Sequence, residues 1–200
     1  AKSIVKFIEK SYLENNYPSV VNLDGECIES EFPKLFWINT KIIIPLYQLY
    51  QITGDKSLLK SAERIHTTLL GSFDQRGFFS SNTNPAYNRS HYQAYALYGI
   101  TCLHRWTKDD KYIEIVEKGV DFLRTLVSEE GGIYSEFSKN GEPKYSSGYD
   151  IPVSAQFAEL IVYLNAVGVK RNDDDQTLNT LEGFLHVRMV KSIWNKNIEG

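Results

Sequence analysis

The chain repeats a pattern of turn-forming and apolar residues at a separation of 54 positions, and this repeat constrains its fold more than any other feature. The pattern is carried by Thr53, Asp55, Leu58, Ala62 and Leu69, which recur as Thr107, Asp109, Tyr112, Val116 and Leu123. A second match, at a separation of 55 positions, pairs Gly77–Phe78–Phe79–Ser80 with Gly132–Ile133–Tyr134–Ser135. A unit that cannot bury its own apolar face is typical of proteins whose repeats stack on one another.

The apolar residues on both sides of each Thr-x-Asp break have helical spacing, so the chain is predicted to be all-α. The predicted unit is a helical hairpin, followed by a Gly-aromatic turn and a long polar loop. A single domain over residues 1–200 would contain the approximate units 1–36, 37–90, 91–149 and 150–200. Turn signals such as Asp24–Gly25 predict short β-hairpins in the long loops. Stacking of the units predicts a solenoid or a closed toroid.

Composition excludes several classes of partner. The formal net charge is −3, and no basic cluster is longer than Lys170–Arg171, so nucleic acid is an unexpected partner. No apolar run approaches the ~20 residues of a membrane span, and no signal-peptide core is present, which favours a cytoplasmic protein. Cys27 and Cys102 are predicted to be free thiols, and no motif indicates a cofactor. The chain is also compatible with a trimmed piece of a longer protein that has other domains.

Three long loops lead into a first helix and are expected to converge on one face. They are 36–41, with the sequence Phe-Trp-Ile-Asn-Thr-Lys; 87–93, with Tyr-Asn-Arg-Ser-His-Tyr-Gln; and 145–150, with Tyr-Ser-Ser-Gly-Tyr-Asp. Within the second loop, Ser90 and Gln93 fit a helix capping box. Because function concentrates on loops held by a rigid scaffold, these loops carry the candidate site.

Helix hairpins with Thr-Gly-Asp breaks and Gly-aromatic turns resemble the (α/α) toroid proteins. These include the six-hairpin glycosidases and their relatives among sugar epimerases and polysaccharide lyases. The resemblance implies a ring of up to twelve helices, with the sugar site at the rim of long loops. About seven helices are expected here, so the chain would be a partial ring, a piece of a larger protein or an open solenoid.

The candidate catalytic residues are His91, Asp150 and Tyr149. A carboxylate such as Asp150 can act as a general acid or base, but Asp before a helix is also a common N-cap. Glycosidic hydrolysis typically needs a second carboxylate, and spacing does not choose among four candidates. These are Glu136, Asp24, Glu26 and Glu31. In the lyases that the chain resembles, Asn neutralises a uronate carboxylate while His or Tyr removes the C5 proton, which implies such roles for Asn88 and His91. A solvated helix start is the alternative interpretation of the segment around His91.

The candidate substrate-binding residues combine aromatic rings with hydrogen-bonding groups. Aromatic rings suit the flat apolar face of a sugar, although Trp37 can equally pack between hairpins. The full set is Trp37, Asn39, Tyr87, Asn88, Arg89, Tyr92 and Gln93. The remaining histidines, His66, His104 and His186, are scattered on helical stripes, so no metal site is predicted.

Two functions remain open from the sequence. The first is a saccharide-processing enzyme, either a glycoside hydrolase, an epimerase or a lyase, or a fragment of one. It predicts that Trp37, His91, Tyr149 and Asp150 line a single cleft. The second is a non-catalytic helical-repeat module that binds a protein or a glycan in a shallow groove.

Overall fold

A computed structural model describes residue 6 and residues 42–79 and 88–198 of the chain. This part is all-α. It contains α1 (Ile43–Thr53), α2 (Lys56–Leu70), α3 (Ser90–Thr107), α4 (Lys111–Thr125), α5 (Ile151–Ala166) and α6 (Asp174–Ile198), with a 3-10 turn at Tyr145–Ser147. The β-hairpin turn predicted at Asp24–Gly25 lies outside the described residues. None of the described helices is long and apolar enough to cross a membrane.

Successive helices pack in pairs, and the pairs contact one another. α1 contacts α2, α3 contacts α4, and α5 contacts α6, while α3 lies between α1 and α5. α3 is buried along most of its length, whereas α4 buries one stripe that contains Tyr112, Val116 and Leu123. Gly119 of α4 allows close packing here, because an added Cβ would displace the side-chain end of Leu97 on α3. The core therefore runs through the middle of the described helices.

The first Thr-x-Asp break is stabilised by side-chain hydrogen bonds. Thr53 Oγ1 donates to the carbonyl of Leu49 at 2.8 Å and accepts from the Asp55 amide at 3.2 Å. Asp55 Oδ1 then accepts from the Ser57 amide at 3.0 Å, in the first turn of α2. Gly54, between them, has a left-handed φ of 69°. The break thus ends one helix and starts the next within two residues.

The second break repeats these bonds 54 residues later. Thr107 Oγ1 donates to the carbonyl of Leu103 at 2.9 Å and accepts from the Asp109 amide at 3.3 Å. Asp109 Oδ1 accepts from the Lys111 amide at 3.1 Å. Lys108 takes the place of Gly54 and keeps a positive φ of 57°. The matched Thr and Asp residues are therefore equivalent in structure as well as in sequence.

The Gly-aromatic turns are also equivalent, but their register differs from the sequence match. The Gly77 amide donates to the carbonyl of Asp74 at 3.1 Å, and the Gly131 amide donates to the carbonyl of Ser128 at 2.9 Å. Gly77 thus corresponds to Gly131, at a separation of 54, and the match to Gly132 at 55 was wrong. Both glycines have a φ near 90°, at 89° and 91°. The conformation, rather than the neighbouring aromatic residue, defines the turn.

The predicted β-hairpins are isolated antiparallel bridges in the described residues, without extended strands. Phe73 pairs with Phe79, Val127 with Ile133, and Phe137 with Pro143. Each of the three turns closes over a glycine of positive φ, namely Gly77, Gly131 and Gly141.

Gly77 and Gly131 each lie directly against the backbone of a later helix. A Cβ at Gly77 would overlap the carbonyl group of Lys118 in α4. A Cβ at Gly131 would lie 2.5 Å from the carbonyl oxygen of Thr180 in α6. The turn after the second helix of one pair therefore packs on the second helix of the next pair.

This packing leads to a prediction for Gly131. Gly131→Ala should lower the free energy of unfolding by about 3 kcal/mol or more, because backbone strain and overpacking each cost ~1–3 kcal/mol. Gly168→Ala is the matched control, since Gly168 has a φ of 90° but nothing within 4 Å of the added Cβ. It should lose only about 1 kcal/mol in urea denaturation. Equal losses in the two variants would show that the contact with α6 contributes nothing.

His66 is a buried titratable group of this core. It is 3% exposed, and its ring packs edge-on against Tyr112 with centroids 4.6 Å apart. Nε2 has no hydrogen-bond partner among the described residues. Burial, and then the charge of Lys111, lower the pKa of His66 from 6.5 to about 4. The folded protein therefore holds this imidazole neutral.

The stability of the fold should consequently fall as the solution is acidified. The unfolded chain takes up a proton on His66 below about pH 6.5, while the folded chain does so only near pH 4. The His66 contribution is thus fully present above pH 6.5 and decreases by about 3 kcal/mol as the pH falls to 4. His66→Leu should flatten this part of the pH–stability curve, measured by urea denaturation. His186→Gln, at an exposed histidine, is the control and should leave the curve unchanged.

Candidate functional site

Backbone hydrogen bonds bring together the chain segments that precede α3 and α5. The Phe137 amide donates to the carbonyl of Asn88 at 3.0 Å, and the Ser90 amide donates to the carbonyl of Ser135 at 3.0 Å. On its other edge, the Ser135 amide donates to the carbonyl of Gly148 at 2.9 Å. The segment 133–137 therefore lies between two of the three predicted loops, and it sets the first turns of α3 and α5 side by side.

His91 and Asp150 meet at this junction. Nδ1 of His91 lies 3.5 Å from Oδ2 of Asp150, and the two side chains are 27% and 17% exposed. The other carboxylate oxygen, Oδ1, accepts from the amide of Val153 at 3.2 Å. Asp150 is therefore the N-cap of α5, as the structural alternative predicted, and it also faces an imidazole. The cap holds the carboxylate in a fixed orientation toward His91.

Two tyrosine rings flank the imidazole. The ring centroids of Tyr92 and Tyr95 lie 4.0 and 5.6 Å from that of His91, both in edge-on arrangements. Tyr92 was a predicted site residue, whereas Tyr95 was missed. Its position four residues after His91 on α3 was the available signal, because residues i and i+4 share a helix face. The two rings limit the directions from which a ligand can approach His91.

Glu136 is placed between two cations rather than beside Asp150. Its Oε1 lies 3.6 Å from Arg89 and its Oε2 lies 3.2 Å from Lys144. Arg89, the residue before α3, is thus paired with Glu136 and keeps nearly half of its side chain exposed. The other candidate carboxylates, Asp24, Glu26 and Glu31, lie outside the described residues.

The side-chain amide of Gln93 forms hydrogen bonds with the backbone of Phe79. Oε1 accepts from the amide of Phe79 at 2.7 Å and Nε2 donates to its carbonyl at 2.8 Å. The predicted capping box was therefore wrong. Ser90 Oγ donates to the carbonyl of Ser135 at 3.3 Å, and the N-cap residue of α3 is Arg89, which makes no side-chain cap. Gln93 is 1% exposed, so its placement is structural.

Asn88 is buried without a hydrogen bond from its side chain. It is 1% exposed, and neither amide atom has a partner in residues 42–79 and 88–198. A buried, unpartnered amide costs free energy, so Asn88 is the least satisfied polar group of this segment.

Tyr149 lies in a different place from His91. It lines a cavity of about 400 Å³ together with Tyr134 and Tyr145, and the lining of that cavity includes neither His91 nor Asp150. Neighbouring residues on an extended backbone point to opposite sides, and Asp150 has φ −100° and ψ 99°. The described residues thus do not bring Tyr149 into one cleft with His91 and Asp150.

The rest of the predicted site is outside the described part of the chain. This applies to Trp37, Asn39 and Tyr87. Within the described residues, no group of three or more His, Cys, Asp or Glu side chains is arranged to hold a metal ion. The elements that the structure joins are therefore the His91–Asp150 pair and the rings of Tyr92 and Tyr95, while Arg89 is paired with Glu136.

Comparisons with known proteins identify no family for this chain. No protein-family model matches the chain, and no curated protein matches its sequence. The functional interpretation therefore rests on the geometry of the site.

Proposed function

We propose that this chain is a saccharide-processing protein built as a partial (α/α) toroid of helical hairpins. The support for the architecture is the recurrence of the same helix-breaking hydrogen bonds 54 residues apart, and of the same glycine turns against successive helices. The proposed site lies where the long loops enter the first helix of each pair. In a toroid this rim is the face on which a saccharide would bind.

The observation that carries the proposed chemistry is the pair formed by His91 and Asp150. A carboxylate at Nδ1 favours the tautomer in which that nitrogen holds the proton, so Nε2 is the basic nitrogen. Asp150 cannot easily turn away, because its other oxygen caps α5. The pair is therefore suited to general acid–base catalysis, with Nε2 of His91 as the group that takes and returns a proton.

Among saccharide reactions, proton abstraction fits this pair better than hydrolysis. Hydrolysis of a glycosidic bond typically uses two carboxylates, whereas the partner of Asp150 in the described residues is an imidazole. Removal of the C5 proton of a uronate, as in an epimerase or a lyase, needs one positioned base. It also needs a cation for the sugar carboxylate, and Arg89, two residues before His91, would supply it in exchange for its ion pair with Glu136. We therefore favour a uronate-containing saccharide as substrate.

Saccharide binding without catalysis is the second candidate. It is favoured by the lining of the described cavities, none of which includes His91 or Asp150. A binding module would need no enclosed cavity at the pair. The two candidates differ in whether a bound sugar exchanges its C5 proton.

The first experiment identifies a ligand. Oligosaccharides with and without uronate units would be screened by thermal shift against the protein. We expect uronate oligomers to raise the melting temperature and their reduced, neutral counterparts to do so less. His91→Ala should still bind, because Arg89 remains. The absence of stabilisation by any saccharide would contradict both candidates.

The second experiment tests the base. The bound uronate would be incubated with the protein in deuterium oxide, and loss of the C5 proton signal would be followed by NMR. His91→Ala should slow exchange by about 100-fold or more, the usual contribution of a general base. Asp150→Asn should slow it by about tenfold, although an Asn can still cap α5 and preserve the fold.

His186→Gln is the matched control and should exchange at the wild-type rate, because this histidine is exposed on α6. Binding of uronates with no exchange in the wild-type protein would establish the binding module instead. Exchange that persists in His91→Ala would remove His91 from the mechanism.

A further inference from the structure

The cavity that Tyr149 lines has a composition that suits a different kind of ligand. It has a volume of about 400 Å³, within the range of small-molecule sites, and it lies at the C-terminal end of α4. Three tyrosines and two glutamates contribute to it: Tyr134, Tyr145, Tyr149, Glu129 and Glu130. Its residues are not those of the His91–Asp150 pair.

The three tyrosine rings form one continuous aromatic wall. The centroids of Tyr134 and Tyr145 are 5.2 Å apart with the rings at 88°, and those of Tyr134 and Tyr149 are 5.2 Å apart at 49°. Tyr134 is held by an antiparallel bridge to Tyr149, and its amide donates to the carbonyl of Leu126 at 3.1 Å. Tyr145 is 75% exposed, at the entrance. Large rings turned at different angles present π faces in more than one direction.

The charge of the lining is negative. Glu129 and Glu130 are both exposed, and no lysine, arginine or histidine is among the residues that line this cavity. The pKa of the Tyr134 hydroxyl is raised, chiefly by burial and then by the hydrogen bond with Tyr149, so this ring stays neutral. An anion would therefore meet two carboxylates, of which Glu130 already lies 3.8 Å from Arg188.

A positively charged side chain of the protein itself packs against the outer edge of this cluster. The guanidinium of Arg188 lies 5.9 Å from the ring centroid of Tyr149 and 5.3 Å from that of Phe184. It also lies 3.8 Å from Glu130. Aromatic faces with an adjacent carboxylate are thus the surroundings in which this part of the fold places positive charge.

We propose that the cavity formed by Tyr134, Tyr145, Tyr149, Glu129 and Glu130 binds an organic ammonium group. The rings would contact its N-alkyl groups through cation–π attraction, and Glu129 would balance its charge, since Glu130 already lies beside Arg188. A carboxylate pair repels an anionic sugar such as a uronate. The ligand class therefore differs from the uronates proposed for the His91–Asp150 pair. The cavity shares no lining residue with that pair.

The test uses two probes of equal shape. Choline carries a quaternary ammonium, and 3,3-dimethylbutan-1-ol replaces its nitrogen by carbon. Titration of the whole chain at constant ionic strength, followed by NMR and isothermal calorimetry, should show saturable binding of choline. The neutral probe should bind at least about tenfold more weakly.

Two substitutions locate the binding. Tyr145→Leu should weaken choline binding by about fivefold, and the exposure of Tyr145 means that the melting temperature should stay near that of the wild type. Glu129→Gln should weaken it as well, through loss of charge alone. Glu182→Gln, at an exposed glutamate of α6 outside the cavity lining, is the matched control and should bind as the wild type does.

Three results would overturn the proposal. The first is equal binding of the two probes, which would mean that shape rather than charge is recognised. The second is wild-type affinity in both Tyr145→Leu and Glu129→Gln. The third is the absence of saturable choline binding in the wild-type chain. The uronate exchange assay is unaffected by any of them, so the two sites can be judged separately.

Discussion

The backbone hydrogen bonds of the segment 133–137 are the interaction on which the candidate site depends. One edge of the segment bonds to Asn88 and Ser90, before and at the start of α3, and the other edge bonds to Gly148 and Asp150, before α5. Without this pairing, the first turns of α3 and α5 would be connected only by side-chain packing further along the helices. The distance between His91 and Asp150 is therefore set by main-chain geometry, which is stiffer than side-chain contact.

After each Gly-aromatic turn, a buried backbone amide donates a hydrogen bond to a side chain of the helix that follows. The amide of Phe79 is bonded by Gln93 of α3, and the amide of Ile133 is bonded by Ser154 of α5 at 3.1 Å. Phe79 and Ile133 are equivalent residues in the 54-residue register, so two different side chains perform one task. A buried amide must be paired, but the identity of the partner is free. The repeat is consequently stricter in its hydrogen bonds than in its sequence.

This freedom explains what the sequence could and could not predict. The Thr-x-Asp breaks were predicted because their bonds are local, within four residues of the threonine. The partners of Ser90 and Gln93 lie 45 and 14 residues away, so a local capping rule assigned them wrongly. The glycine register slipped by one because aromatic residues, rather than conformation, were aligned. The sequence predicted the His91–Asp150 contact only indirectly, through the expected convergence of the loops that carry the two residues.

Tyr149 and Asp150 show how one extended segment can serve two sites. Asp150 faces His91 and caps α5, while Tyr149 faces the tyrosine cavity and packs edge-on against Phe184, with centroids 5.4 Å apart. The sequence assigned Tyr149 and Asp150 to one site because both side chains can take part in acid–base chemistry. The extended backbone separates them, since successive side chains point to opposite sides. The same backbone bond, from the Asp150 amide to the carbonyl of Ile133 at 2.8 Å, nevertheless holds both residues in place. A substitution that loosens this bond should disturb both sites together, whereas substitutions at the rims, at Arg89 or Tyr145, act on one site alone.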